Sequence, residues 1–413
     1  MLDLNQIRNK VLNGDVFVVM KEIPDDSIDC IITSPPYWCA RNYLADGQIG
    51  LEDNPAEYID KMVNLLAECK RVIKPTGTIW FNVGDLFYTK SGSGQGNQFA
   101  DKAVELDGGT GELFNAQHNI KGKYKTNWLQ HKQRLLIPYR IAIRAQDELG
   151  LILRNDICWI KKLIDWKKKE SYGSAMPSSA DDRLSTNSEP IFLFAKDPDY
   201  FFNLHAIRIP HKQVSIKRNE YGRSDLNKEA GGKGYAFGRG VTSGEFLHPD
   251  GQNPGDCLMF PIESTHIKHY AMFPQSLVNF CIKAGCPEFV CSSCGRPREE
   301  IYETINQDKI KEIESTKIKY DGTEEETDIR QGFSNKRIWK PAKRKLLGYK
   351  ECDCKAPFIK GIVLDPFCGS GTSGIVAAKL NRDFILIDLN PDYCKLAESR
   401  IKPYLEQTRL GEY

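Results

Sequence analysis

The chain has 413 residues, 40% apolar and 27% charged, enough for a sizeable core and for two or three domains or one large domain with insertions. A net charge of +2 excludes a uniform polycation, and no apolar run reaches the roughly 18 residues of a membrane helix. The start, Met1-Leu2-Asp3-Leu4-Asn5-Gln6, lacks a charged-then-apolar signal pattern, so a cytoplasmic protein is expected.

In chain order, Val16 to Met20 opens a helical stretch. Ser27 to Thr33 is an apolar run bounded by turn residues and predicts a buried strand with Ser34 at its carboxyl end. Residues 55 to 73 carry Tyr58, Met62, Leu65, Leu66, Cys69 and Val72 at helical spacing. Pro75-Thr76-Gly77 is expected to end that helix, and Thr78 to Val83 to follow as a strand. Residues 89 to 126 are glycine- and serine-rich, the composition of a mobile loop. A helix over Leu135 to Leu149 precedes strands around Ile152 to Ile160 and Pro190 to Ala195. From about 203 to 255 the chain is polar and glycine-rich, as an inserted module would be. Phe273-Pro274-Gln275-Ser276 starts a helix, and a charged stretch from Gln307 to Arg330 interrupts again. The end is regular: strand Gly361 to Leu364, a glycine turn, helix Ser373 to Leu380, strand Phe384 to Ile387, helix Pro391 to Tyr404. Strand-helix-strand-helix implies a parallel sheet covered on both faces. Neither end has enough strands for a whole sheet, so the two ends are expected to share one.

Charge is patchy. Arg154 to Lys169 and Lys336 to Lys350 are dense basic runs that suit phosphates, or a solvated face. The 13 cysteines, an odd count without a secretory signal, argue against a disulfide framework. Cys291-Ser292-Ser293-Cys294-Gly295 has knuckle spacing, and Cys352-Asp353-Cys354 follows after 57 intervening residues. Together Cys291, Cys294, Cys352 and Cys354 form a candidate four-thiolate Zn²⁺ site, with Cys286 as an alternate ligand and free or redox-active thiols as the competing reading.

Two strings carry chemistry. Asp365-Pro366-Phe367-Cys368-Gly369-Ser370-Gly371-Thr372 lies between a strand and a helix, and Asp388 ends the next strand 19 residues after Gly369. Glycines allow close backbone approach, a helix N-terminus offers free N–H groups, and the acid takes ribose hydroxyls. By spacing alone this also fits a dinucleotide fingerprint, but only about 40 residues remain for the second half-sheet such a fold needs. Thr33-Ser34-Pro35-Pro36-Tyr37-Trp38 is the other string, a rigid proline turn after a strand.

This pair resembles the amino-DNA methyltransferases, and the catalytic-before-cofactor order resembles their beta class. Segments 46–52, 77–85, 154–161 and 187–194 resemble the Ser-Pro-Pro-Tyr-Trp methylases as well, so that the likeness covers roughly half the chain. The resemblance implies an α/β, Rossmann-like, S-adenosylmethionine-dependent methyltransferase fold, circularly permuted, with an inserted target-recognition region and a small zinc-binding insert. It implies that Asp365, Phe367, Gly369 and Gly371, within the turn that includes Pro366, Ser370 and Thr372, hold the methionine end, and that Asp388 holds the ribose. The segment His269-Tyr270-Ala271-Met272-Phe273 resembles the part that helps enclose the cofactor, which adds His269 and Phe273. Ser34 Oγ and the Pro35 carbonyl would accept the amino hydrogens of the target base, with Pro36 stiffening the turn and Tyr37 stacking on a base flipped from the duplex. A neutral hydroxyl is no strong base near neutral pH, so proton loss follows methyl transfer. Ser rather than Asp at position 34 resembles the N4-cytosine branch, with adenine N6 the alternative.

The expected partners are double-stranded DNA and a cognate restriction endonuclease, with no membrane and a monomer or homodimer. The expected division is residues 1–200 for the catalytic half, 201–262 for target recognition, 263–285 with 357–413 for the cofactor half, and 286–356 for the zinc insert. A nicotinamide-dependent oxidoreductase and a non-catalytic zinc-containing DNA-binding protein are the rival classes. The first has only the glycine pattern in its favour, and the intact Ser34 to Tyr37 turn speaks against the second.

Overall fold

The computed structural model describes residues 3–40, 43, 45–88, 129–175, 180–215, 248, 250–261, 273–305 and 343–410. The helices are α1 (Leu4–Ile7), α2 (Val16–Glu22), α3 (Pro55–Val72), α4 (Ile137–Asp147), α5 (Gln275–Gly285), α6 (Thr372–Lys379) and α7 (Pro391–Leu410). The strands are β1 (Lys10–Asn13), β2 (Ile28–Thr33), β3 (Ile73–Asn82), β4 (Ile152–Ile160), β5 (Lys162–Asp165), β6 (Glu170–Gly173), β7 (Ser188–Ala195), β8 (Cys257–Met259), β9 (Phe289–Cys291), β10 (Glu300–Ile305), β11 (Lys343–Tyr349), β12 (Phe358–Lys360), β13 (Ile362–Asp365) and β14 (Asp383–Asp388).

Eight strands form one sheet in the order β1-β14-β13-β2-β3-β7-β4-β8. It is parallel throughout except at β7, which runs against both neighbours. The two chain ends meet at its centre, where Val363 and Leu364 of β13 pair with Cys30 and Ile31 of β2. Asp29 fastens that seam: one carboxylate oxygen accepts from Ile362 N at 2.9 Å and the other from Lys74 Nζ at 2.7 Å. Burial pushes its carboxyl above the usual range despite the lysine.

Strand residues alternate between two helical layers. Ile31, Ile79 and Phe81 join the cluster containing Tyr58, Met62 and Leu66 of α3 and Ile141 of α4. On the other face Trp80 meets Phe280 of α5 edge-on at 6.2 Å, and Thr78 Oγ1 donates to the Gly285 carbonyl at 3.0 Å. All six residues of β2 are buried, as a central parallel strand with helices on both sides requires. Local signals set the helix starts: Asp15 accepts from Phe17 N and Val18 N, and Asn54 accepts from Glu57 N ahead of Pro55.

One expectation fails. Pro75-Thr76-Gly77 does not separate helix from strand, because β3 already begins at Ile73. Ile28 pairs with Ile73 but Cys30 pairs with Thr78, so the proline and glycine lie in a bulge within the strand.

The chain divides into two compact units, residues 1–206 with 255–298 and 351–413, and residues 207–254 with 299–350. The first holds the eight-stranded sheet. The second contains the antiparallel β10–β11 pair and the Ile209–Gln252 bridge. Among the described residues no helix is long and apolar enough to cross a membrane. The expected loop at 89–126, most of the glycine-rich region (216–247), His269 and the charged stretch from Gln307 to Arg330 lie outside the described residues.

Candidate active site

The parallel strands β2, β13, β14 and β3 end side by side, and their carboxyl ends carry Ser34, Asp365, Asp388 and Asn82. From β13 the chain steps one way to β14 and from β2 the other way to β3, so the seam between β13 and β2 is the switch point where open α/β sheets bind ligands.

At the end of β2 the Ser34-Pro35-Pro36-Tyr37 turn is pinned from several sides. Tyr58 Oη donates to the Pro36 carbonyl at 2.9 Å, Trp38 Nε1 donates to the Glu52 carbonyl at 3.0 Å, and Cys39 N donates to the Gly50 carbonyl at 2.7 Å. A Cβ on Gly84 would lie 2.4 Å from the Tyr37 ring, so glycine lets the ring lie against the chain beyond β3.

The polar ends of the turn converge. Asn82 Nδ2 donates to the Pro190 carbonyl at 2.9 Å, which aims Asn82 Oδ1 at Ser34 Oγ (3.3 Å) and Tyr37 Oη (2.9 Å). Tyr37 Oη also lies 2.9 Å from Glu189 Oε2, and 3.4 Å from Ser34 Oγ. Glu189 is ion-paired through its other oxygen with Lys161, which sits 4.6 Å over the Trp159 ring. One phenolic proton serves one acceptor at a time, and the charged one is stronger. Tyr37 therefore donates to Glu189, and the Ser34 hydroxyl donates to Asn82, leaving the lone pairs of Ser34 Oγ for an incoming N–H. Burial and the Glu189 charge push the Tyr37 phenol well above its ordinary value, so it stays protonated.

At the end of β13 the glycine turn is equally specified. Asp365 accepts from Ser373 Oγ at 2.5 Å and Phe367 N at 3.1 Å, and burial raises its carboxyl to about 6. Asp388 accepts from Gly369 N at 2.8 Å and Asn390 N at 2.9 Å, and burial raises it too. Pro366 and Ser370 are buried, and the Ser370 carbonyl accepts from Arg400 at 2.6 Å. Gly369 and Gly371 take positive φ of 50° and 77°. Thr372 opens α6, whose N-terminus has no side-chain cap. A buried acid, a half-buried acid, a glycine turn and an uncapped helix start fit the ammonium, ribose and carboxylate of S-adenosylmethionine.

Phe273 packs against Trp159 at 6.3 Å between ring centroids, on the β4 side of the sheet. The four thiols of Cys291, Cys294, Cys352 and Cys354 lie within 4.8 Å of one another, while Cys286 is apart, buried at the end of α5. Asn82, Glu189, Lys161 and Gly84 complete the site. They fall in stretches resembling methylase segments, but only the fold brings them to Ser34.

The family model for DNA methylases matches residues 28–289 and 350–399, spanning both strings together with Asn82, Lys161 and Glu189. The chain belongs to the DNA methylase family. Type II methyltransferase M.SfiI of Streptomyces fimbriatus is 34% identical over 222 residues, 53% of this chain but 44% of that protein. Over that alignment the chain therefore spans less than half the relative's length. Type II methyltransferase M.SmaI of Serratia marcescens is 26% identical over 401 residues, 97% of this DNA methylase and 93% of the relative. Among solved structures, PvuII DNA methyltransferase (cytosine-N4-specific) superposes over 96% of this chain and 91% of its own at a TM-score of 0.47 and 14% identity. Family membership sets aside the oxidoreductase reading of the glycine turn.

Proposed function

We propose that this DNA methylase methylates the N4 amine of cytosine in double-stranded DNA, taking the base out of the duplex to reach it. The observation that carries the cytosine assignment is the neutral acceptor at position 34, held by a neutral amide: Ser34 Oγ lies 3.3 Å from Asn82 Oδ1. S-adenosylmethionine, held by Asp365, Asp388 and the Gly369–Thr372 turn, supplies an activated methyl group when bound. The placement of β13 beside β2 supports a circularly permuted methyltransferase fold, with the cofactor half carried by the chain's end.

The chain's own residues do the rest. An aromatic amine is a weak nucleophile because its lone pair is delocalised into the ring. Ser34 Oγ and the Pro35 carbonyl accept its hydrogens and favour the pyramidal nitrogen. The Pro36 carbonyl, occupied by Tyr58, only holds the turn's shape. Once methylated, the nitrogen sheds one proton to Ser34 Oγ; the Ser34 hydroxyl turns from Asn82 Oδ1 to Tyr37 Oη, 3.4 Å away, and gives up its own proton there as Tyr37 passes its proton to Glu189. Lys161 holds the other Glu189 oxygen in an ion pair. Glu189→Gln removes that terminus, so kcat is expected to fall by about 10²-fold with cofactor affinity unchanged, the usual scale for a proton-transfer residue. Single-turnover rates across pH check it, and a wild-type rate and profile would remove Glu189 from the route.

DNA contact is supported by the β5–β6 hairpin. Its turn carries Trp166, 83% exposed, beside Lys167, Lys168 and Lys169, an aromatic among phosphate-seeking charges. The 207–254 and 299–350 unit is assigned to target recognition, and an endonuclease of the same specificity is the expected partner. A structural Zn²⁺ belongs to the separate thiol cluster and takes no part in the chemistry.

The cofactor assignment has a pH signature. The Asp365 carboxyl, raised by burial to about 6, holds a proton in the folded protein that the unfolded chain releases near its ordinary 3.8. The stability this confers is complete below the unfolded value and is lost as pH rises through about 6. A cationic ligand requires the ionised form. S-adenosylmethionine affinity is therefore expected to weaken as pH falls below about 6, with proton release on binding measurable by calorimetry in two buffers. Asp365→Asn should flatten that profile, and affinity independent of pH in the wild type would move the ligand's charge away from Asp365.

The function as a whole is tested by incubating the protein with S-adenosylmethionine and unmethylated DNA, digesting to nucleosides and identifying the product by mass spectrometry. N4-methylcytosine is expected. N6-methyladenine would overturn the base assignment, and unmodified DNA the activity.

A further inference from the structure

The four-cysteine cluster lies outside the methyl-transfer machinery, and its geometry is specific. Cys291 ends β9 and Cys294 follows in a tight turn, closed by Gly295 N donating to the Cys291 carbonyl at 2.9 Å with Gly295 at φ +71°. Cys352 and Cys354 lie in a second turn, closed by Lys355 N donating to the Cys352 carbonyl at 2.9 Å with Lys355 at φ +51°. The β9–β12 ladder pairs Cys291 with Phe358, and Ser292 N donates to the Pro357 carbonyl at 3.0 Å, which brings the turns together. Arg298 lies 4.1 Å over the Phe289 ring at the start of β9.

All four Sγ atoms lie within 4.8 Å of one another, and Cys294 Sγ to Cys352 Sγ is 3.5 Å. A tetrahedral Zn²⁺ with Zn–S bonds of about 2.3 Å has S···S edges of about 3.8 Å. None of the four is in a disulfide. Four soft donors, no carboxylate or imidazole, and one ligand from each of four positions match a closed structural site and leave no open coordination position.

We propose that Cys291, Cys294, Cys352 and Cys354 hold one structural Zn²⁺ that fastens the two ends of the 299–350 segment. Chain order supplies the second half of the inference. Cys294 lies six residues before β10 starts at Glu300, and Cys352 three residues after β11 ends at Tyr349. The segment leaves as β10 and returns as β11, paired from Glu300–Tyr349 to Ile305–Lys343. Joining the turns closes that loop at its root and lowers the entropy of its open state. Cys286 is no ligand: it is buried at the end of α5, beside the Pro287 carbonyl.

The test uses the full chain, purified under reducing conditions without chelator. Elemental analysis is expected to give about one Zn per chain. Cobalt reconstitution should give intense sulfur-to-metal charge-transfer bands, and Cys294→Ser should lower the metal content several-fold. Cys257→Ser, an exposed cysteine outside the cluster, should keep it. Chelation should speed limited proteolysis within 299–350 while the rest of the chain resists. Folded, metal-free wild-type protein, or a disulfide among the four found by non-reducing mass spectrometry, overturns the site. Bound metal whose removal leaves proteolysis unchanged overturns the fastening role. S-adenosylmethionine binding is measured on the same samples. Its absence with metal present counts against the proposed function and leaves the zinc site standing.

Discussion

Ser34→Ala is expected to cut methyl transfer by about 10²–10³-fold, the loss that follows removal of one hydrogen bond made to the transition state. The wild-type hydroxyl donates to Asn82 and so turns its lone pairs outward. Alanine removes the acceptor for the amine hydrogen and the first step of the route to Glu189. The scaffold survives, because Tyr37 remains 2.9 Å from both Asn82 Oδ1 and Glu189 Oε2, and Tyr58 still holds the Pro36 carbonyl. The defect should therefore appear in kcat, with S-adenosylmethionine affinity by calorimetry and melting temperature near wild type. Asn82→Ala makes the complementary case. It leaves the Ser34 oxygen in place but removes the acceptor that orients it, so a smaller loss is expected. Single-turnover rates under saturating cofactor decide, and wild-type turnover by Ser34→Ala would displace Ser34 from the chemistry.

Much of this site is legible in the sequence because it is local. The proline turn follows a run of apolar residues, the glycine turn sits between a strand and a helix, and each string carries its own geometry. The sheet's outline is legible for the same reason, since β2, α3, α6 and β14 each show their period. The partners of Ser34 are not local. Asn82 is 48 residues away and Glu189 is 152 residues from the Tyr37 that it binds, so their convergence depends on β3 and β7 pairing antiparallel. Position 82 reads as one more strand residue, and Glu189 and Lys161 fall in segments that resemble methylases without any role being assigned to them. Pro75-Thr76-Gly77 misleads by the same principle. Proline and glycine usually punctuate elements, but here a bulge accommodates them inside β3, with a Cβ on Gly77 falling 2.9 Å from the Asp29 carbonyl. The four cysteines show the opposite case: a gap of 57 residues weakens the pattern, yet β9 and β12 carry the pairs to one place.

Gly371→Val is expected to abolish S-adenosylmethionine binding, for a reason that differs from the one the sequence suggests. Read as a cofactor turn, Gly371 lacks a side chain so that a ligand can approach. In the structure its missing Cβ points instead at α7, 2.7 Å from Ala397 Cβ and 3.0 Å from Ala397 Cα. Its φ of +77° is also strained for any side chain, most of all a β-branched one. Valine must push α7 off α6 and leave the left-handed region, a cost of roughly 1–3 kcal/mol for the backbone strain before the clash is counted. The turn then loses the Arg400 bond to the Ser370 carbonyl, because Arg400 is one helical turn from Ala397. Binding fails through misplacement of Gly369 and Asp388 rather than through a blocked ligand. A double-mutant cycle separates the two causes. Gly371→Ala should destabilise the protein and weaken binding, and Ala397→Gly alone should cost about 1 kcal/mol as glycine in a helix does. Together they should cost less than the sum, because the second substitution removes the atom the first one strikes. Melting temperature and cofactor calorimetry on all four proteins give the coupling. Strict additivity would return the role of Gly371 to direct contact with the cofactor.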